Sequence, residues 1–168
     1  MGSPLRWLLG LLVALHVLAA VVVGVTTDWA EPGFTTGDSL QYKELTGNDG
    51  LPYRDYEVAF PPLTWAFVEL VELPDDPSTA GRLLVLTQLV ADLAVAAALA
   101  YGWSRRSAVA WLVLLLPLCW GGWIFARIDL LSVALAIWGL ALARRRREAA
   151  SRLPSPSACS PRPGPCSP

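Results

Sequence analysis

Residues 7–25 read WLLGLLVALHVLAAVVVGV, nineteen consecutive positions without a formal charge. At a rise of about 1.5 Å per residue such a run reaches across a hydrocarbon core of roughly 30 Å, which predicts a transmembrane helix. A cleaved leader has a shorter apolar stretch and ends in a small-x-small site. Here the run passes into Val25-Thr26-Thr27-Asp28-Trp29, so an uncleaved anchor is expected. His16, alone on this apolar helix, reads as a satisfied packing residue and not as a ligand.

Three further stretches have spanning character: 83–103, 108–125 and 128–143, the last short and bounded by Asp129 and Arg144. The whole chain agrees with them. Of its 168 residues 54% are hydrophobic and 16% charged, against roughly 25% charged in ordinary soluble domains, which excludes a water-soluble globular enzyme. The expected fold class is an all-α integral membrane protein of about four transmembrane helices with a long external loop.

The thirteen basic and fourteen acidic residues nearly cancel, but they are segregated. Arg6, Arg105, Arg106 and Arg144 to Arg147 flank the spans on one side. Residues 26–81 carry Asp28, Glu31, Asp38, Glu44, Asp49, Asp55, Glu57, Glu69, Glu72, Asp75 and Asp76 against only Lys43 and Arg54. Because arginine and lysine are retained on the cytoplasmic side, the acidic segment is expected outside and both termini inside, in a multi-pass plasma-membrane protein. The apolar stretch 63–73 is too short to span and carries Glu69 and Glu72. It reads as an interfacial helix opened by Pro61-Pro62, with Leu63, Phe67, Leu70 and Val71 on one face. Trp7, Trp103 and Trp123 fall at span ends, as an interfacial indole belt requires.

Past Arg147 the character changes: residues 151–168 hold six prolines and five serines. Residues 148–168 are therefore expected to form a disordered cytoplasmic tail, or to be an out-of-frame ending. Twelve arginines beside one lysine point to a GC-rich coding sequence of actinobacterial type. Cys119, Cys159 and Cys166 form no CxxC pair and no cluster at zinc-ligand spacing. There is no phosphate loop, no His-Glu-x-x-His, no Gly-x-Ser-x-Gly elbow and no basic surface suited to nucleic acid. No cofactor is expected. Asp38, Asp49, Asp55 and Glu57 are oxygen ligands, but their spacing matches no defined calcium loop, so a divalent cation stays an open question.

The most specific signal lies in the external loop: Gly37-Asp38-Ser39-Leu40-Gln41-Tyr42, then Gly50-Leu51-Pro52-Tyr53-Arg54-Asp55-Tyr56, then Phe60-Pro61-Pro62-Leu63. This order resembles the first extracytoplasmic loop of the GT-C membrane glycosyltransferases, above all glycosyltransferase family 87 and related polyprenol-phosphate-mannose-dependent mannosyltransferases. There an Asp-x-x-x-Tyr element precedes Gly-x-Pro-Tyr-Arg-Asp-Phe and Glu-Tyr-Pro-Pro. Arg127-Ile128-Asp129-Leu130-Leu131 is similar to the Arg-Phe-Asp-Leu-Leu-Pro stretch of a later helix in that family. The resemblance covers residues 7 to about 143. It departs at Ala59, where the family has Glu, although Glu57 lies two residues earlier, and at Ser132, where the family often has Pro. The family has many more helices than four, so this chain looks like an N-terminal portion.

The resemblance implies transfer of a sugar, mannose above all, from a polyprenyl phosphate in the bilayer to a glycan or glycolipid acceptor hydroxyl in the cell envelope. By resemblance Asp38 is the catalytic base, since a weak hydroxyl nucleophile needs a carboxylate to take its proton. Asp38 can equally cap a helix that begins at Ser39. Arg54, Asp55, Arg127 and Asp129 are the implied substrate-binding residues. Arg54 and Asp55 also fit an internal salt bridge that shapes the loop. Arg127 fits a lipid phosphate held at the outer boundary, or an ion pair with Asp129 or snorkelling.

Asp92 lies mid-span, with Gln88 one turn earlier on the same face. An ionisable group at that depth either glues helices together, through Gln88 or another helix, or relays protons. Pro117 with Gly121 and Gly122 predicts a kinked third span. Two other functions compete with sugar transfer: a non-enzymatic four-span partner or scaffold protein, and an ion-coupled transport fragment built on Asp92, for which no inverted repeat is present.

Overall fold

The computed structural model describes residues 4–30, 50–55, 57, 62–72, 76–116, 124, 125 and 128–151. Its regular elements are all helices: α1 (Pro4–Thr26), α2 (Pro62–Glu72), α3 (Pro77–Gly102), α4 (Arg105–Leu114) and α5 (Asp129–Ser151). Among the described helices, α1 and α3 are long and apolar enough to cross a membrane.

The bundle encloses a few polar groups within an apolar core and leaves large aliphatics on its outside. Leu11, Leu18, Val21 and Val25 of α1 and Leu86 and Val90 of α3 face outward, whereas the buried polar side chains among the described residues are His16, Gln88 and Asp92. Large aliphatics outside and polar groups inside suit a lipid surround, where helix association relies on close packing and internal hydrogen bonds. This pattern supports membrane association beyond helix length alone.

α3 is the central element. It packs against α1, α4 and α5 and touches α2, and α1 also packs on α4. Leu12 of α1 shares a cluster with Ala96 of α3 and with Ala108 and Leu112 of α4. Nearer the other end, Ala20 shares one with Trp29, Val85 and Phe125. α1 therefore runs antiparallel to α3 and alongside α4. Gly102 meets Ala141, since an added Cβ would fall 2.7 Å from the alanine Cβ. Ala91 and Val95 cluster with Leu130 and Ala134, so α5 runs parallel to α3. The small residues at this seam let the two backbones approach closely.

Local sequence fixes the helix ends. Asp76 caps α3, its carboxylate accepting from the Thr79 amide at 2.8 Å and the Thr79 hydroxyl at 2.6 Å, with Pro77 in the first turn. Ser104 caps α4 through the Ser107 amide at 3.2 Å. Arg82 donates from Nε to the carbonyl of Gly24 at 3.2 Å, which satisfies an acceptor near the end of α1.

The later helices differ from the expected spans. α4 ends at Leu114, short of the 108–125 stretch, and the sequence that follows contains Pro117, which has no amide proton with which to continue helical bonding. The kink expected around Gly121 and Gly122, the boundary Trp123 and Cys119 lie outside the described residues. α5 begins level with Ala91, eight residues beyond Leu83 and about 12 Å further along α3. It then continues through Arg144 to Arg147 as far as Ser151, so the helix extends past the expected limit at 143. Helices spanning at four places are not established by these elements. Residues 152–168 lie outside the described part, so the expectation of a disordered tail is not addressed for them.

α2 forms where Pro61-Pro62 predicts it, and the side it turns to the bundle carries Trp65 and Val68. Trp65 and Val68 are buried, while Leu70 is 57% exposed. Phe67 is half-buried, and the Leu63 and Val71 side chains lie outside the described part. Trp65 also donates from Nε1 to Glu69 at 2.8 Å, one turn along the helix.

Candidate functional site

Two polar arrangements stand out, one inside the bundle and one at its acidic end. The first is built by three helices at one level. His16 on α1 contacts Asp92 on α3, Nδ1 to Oδ2, at 2.5 Å. Trp111 on α4 donates from Nε1 to the other carboxylate oxygen of Asp92 at 2.8 Å. The second imidazole nitrogen, Nε2, lies 3.0 Å from the carbonyl oxygen of Leu112. His16 and Asp92 are completely buried.

The carbonyl partner decides the protonation pattern. A carbonyl oxygen only accepts, so Nε2 must carry hydrogen, and the Nδ1 to Oδ2 contact must hold one further proton. Imidazolium with carboxylate and imidazole with carboxylic acid both satisfy this, and both are neutral as a pair. Neutrality lowers the cost of placing the pair among apolar side chains. Chemically the arrangement ties α1, α3 and α4 together, and a proton can shift between His16 and Asp92.

The sequence placed Asp92 at mid-span, with Gln88 or another helix as its expected partner. Neither amide atom of Gln88 has a partner among the described residues, although Gln88 is wholly buried. The expected bond to another helix is the one that forms. His16 is the satisfied packing residue expected, with both ring nitrogens partnered, but its pairing with Asp92 was not foreseen because it was read alone. Its signal was depth: it lies near the middle of the first run, as Asp92 does in the second, so two antiparallel spans bring them level.

The second arrangement is at the end where α1 finishes and α3 begins. Trp29 folds back over the bundle and is 1% exposed. Its ring rests against Gly81, where an added Cβ would overlap the indole. Between α1 and α3 at this end runs an apolar groove of about 220 Å³, lined by Ala20, Val21, Gly24, Val85, Leu86 and Leu89, with Arg82 at its outer end.

The Gly50 to Asp55 block forms a tight turn. The Asp55 carboxylate accepts from the Leu51 amide at 2.8 Å and from Arg54, Nε at 2.8 Å and Nη2 at 2.9 Å. The Asp55 amide donates to the carbonyl of Leu51 at 2.9 Å. Gly50 has φ +118°, and a Cβ there would lie 2.9 Å from the Asp55 Cβ, so glycine is required twice over. Tyr53 adopts φ +67°, a left-handed conformation rare for a bulky residue. Hydrogen bonds from Arg54 first, and from the Leu51 amide second, hold the Asp55 carboxyl below its usual range. Tyr53 is raised, mostly by desolvation and further by the charge of Glu69 on α2.

Of the residues expected to form a site, Arg54 and Asp55 are brought together, and with each other. Asp38 and Arg127 lie outside the described residues. Asp129 is the first residue of α5, exposed, in the turn where a carboxylate suits the positive end of the helix. Arg82 was passed over, as it falls between the acidic segment and the apolar stretch that begins at Leu83. Among the described residues no group of three or more His, Cys, Asp or Glu could hold a metal ion. No family model, no curated protein and no solved structure matches the chain.

Proposed function

We propose that this chain is the N-terminal portion of a GT-C-type membrane mannosyltransferase that uses a polyprenyl-phosphate sugar donor and an acceptor on the external face. In this reading α1, α3, α4 with the residues that follow it, and α5 make four passes of the plasma membrane. The arginine-bearing ends are cytoplasmic, and the segment 26–81 is external.

The observation that carries the reading is the groove between α1 and α3. It is apolar along its length and ends at the Arg82 guanidinium, on the side of the bundle that bears the acidic loop. That combination suits an isoprenoid chain lying in the bilayer with its phosphate at the water boundary, where a guanidinium can hold phosphate oxygens. The loop order from Asp38 through the Arg54-Asp55 turn to Pro61-Pro62 supplies the resemblance to sugar transfer. The Arg54-Asp55 pair acts in it as the brace of a rigid turn that presents Tyr53.

The reaction assigned to these residues joins an acceptor hydroxyl oxygen to the anomeric carbon of the donor sugar. Asp38 takes the hydroxyl proton, the bond from the anomeric carbon to the phosphate oxygen breaks, and polyprenyl phosphate leaves. A guanidinium offsets the charge on the departing phosphate, from Arg127 by resemblance and from Arg82 by its place at the groove.

The test is transfer from labelled polyprenol-phosphate-mannose in membranes carrying the longest reading frame that contains this chain. Transfer that is lost in Asp38→Asn, with a raised donor KM in Arg82→Gln, is the expected result. Unchanged transfer after Asp38→Asn removes Asp38 as the base. Absence of transfer together with capture of a defined membrane partner makes the chain a four-span scaffold instead.

A further inference from the structure

The opposite end of the bundle carries a second feature, independent of sugar transfer. Among the described residues at this end, Arg6, Arg105, Arg106 and Arg144 to Arg147 face one acid, Glu148. Trp103, at the end of α3, and α5 enclose a groove of about 380 Å³ lined by Trp103, Leu140, Ala143, Arg144, Arg147 and Glu148.

Its members are not equivalent. Arg144 lies over the Trp103 ring, 5.5 Å from the centroid, and donates from Nε to Glu148 at 3.0 Å. Arg145, beside the groove, is committed to the fold. Its Nε and Nη2 donate to the carbonyl of Tyr101 at 2.8 and 2.5 Å, and Nη1 reaches Glu148 at 3.4 Å. Glu148 is thus shared by two arginines. Arg147 has no hydrogen-bond or ion-pair partner among the described residues, and it lines the groove.

Polarity changes along the groove in the direction of the bilayer. Arg147 and Arg144 lie toward the arginine-bearing end of α5 beside Trp103, with Ala143 one turn before Arg147 and Leu140 one turn before Arg144. We propose that this groove binds an anionic phospholipid of the cytoplasmic leaflet, its phosphate held by Arg144 and Arg147 and its acyl chain lying along Ala143 and Leu140. Charge complementarity selects this occupant. Arginines clustered beside a membrane-facing groove attract anionic headgroups, and a zwitterionic lipid offers no net charge to match them. The guanidinium planes suit two phosphate oxygens at once, and the stacking on Trp103 fixes one plane in advance.

The experiment is native mass spectrometry of the full chain in neutral detergent, titrated separately with phosphatidylglycerol, phosphatidylcholine and inorganic phosphate. Phosphatidylglycerol is expected to be retained over phosphatidylcholine. Arg147→Gln should weaken its binding by about fivefold, the ordinary share of one surface arginine in anionic-lipid attraction. Arg147→Lys should keep most of it. Arg106→Gln, which removes an equal charge on the same side but outside the groove, should leave it unchanged. Arg147 is exposed and unpartnered among the described residues, so an unaltered circular dichroism spectrum of Arg147→Gln separates lost binding from lost fold. Equal retention of phosphatidylcholine overturns the proposal, as does an equal loss in Arg106→Gln. Displacement of phosphatidylglycerol by millimolar inorganic phosphate would make it a free-phosphate site and overturn it too.

Discussion

Replacing Asp92 by asparagine and by leucine separates the two roles that a mid-span carboxylate can have. Asparagine is nearly isosteric. Its carbonyl oxygen can accept from Trp111 Nε1, and its amide can donate to His16 Nδ1, while His16 Nε2 keeps its bond to Leu112. Both contacts survive with the pair still neutral, so Asp92→Asn should lower stability by no more than about 1 kcal/mol. Leucine loses both contacts and strands two polar groups in a completely buried site. Side-chain hydrogen bonds between helices in membranes average about 0.6 and reach about 1.7 kcal/mol each, so two of them amount to about 1–3 kcal/mol. The assay is unfolding by sodium dodecyl sulfate in mixed micelles, followed by far-ultraviolet circular dichroism. A large loss in Asp92→Asn, equal to that of Asp92→Leu, would refute the argument from proton sharing and make the carboxylate charge itself indispensable. No loss in Asp92→Leu would show that the three-helix tie contributes nothing.

Two further outcomes follow from the acidic end of the bundle. Gly81→Ala should destabilise the chain by about 1–3 kcal/mol, since the new methyl overlaps the Trp29 ring, and the penalty should largely vanish in a Trp29→Ala background. The same unfolding assay reads both. The Gly50 to Asp55 turn should persist through mild acid: the carboxyl is depressed in the folded state, so its contribution is present above the ordinary carboxylate pKa and is lost only as pH falls through the lowered one. The Leu51 amide, which donates to Asp55, is the reporter, and a nuclear magnetic resonance titration of that amide at or above the ordinary carboxylate range contradicts the pairing.

What could be read in the chain depended on how local its cause was. Helix α1 was legible because an uncharged run of nineteen residues has few other uses. The Arg54-Asp55 pair was legible because the two residues are neighbours in a proline-led turn. The end of α4 comes shortly before Pro117, but a helix of ten residues was masked by the apolar composition around it. The tie between His16 and Asp92 spans 76 positions of sequence and depends on α1 and α3 lying at matched depth, which no single window contains. The side of α2 that meets the bundle was not legible for a related reason: Trp65 and Val68 are selected by the neighbour they meet, and periodicity does not name that neighbour. Arg82 gained its meaning only from the carbonyl of Gly24 and the groove beside it.

Sugar transfer at the external face and the lipid groove at the arginine end both rest on one claim, that residues 26–81 and the arginine clusters lie on opposite sides of a membrane. The direct measurement is labelling with a membrane-impermeant maleimide in intact cells, with Cys119, Cys159 and Cys166 replaced and single cysteines introduced as Glu57→Cys and Arg106→Cys. The account predicts that Glu57→Cys is labelled in intact cells and Arg106→Cys only after permeabilisation. Labelling of Arg106→Cys in intact cells, or protection of Glu57→Cys, would contradict it.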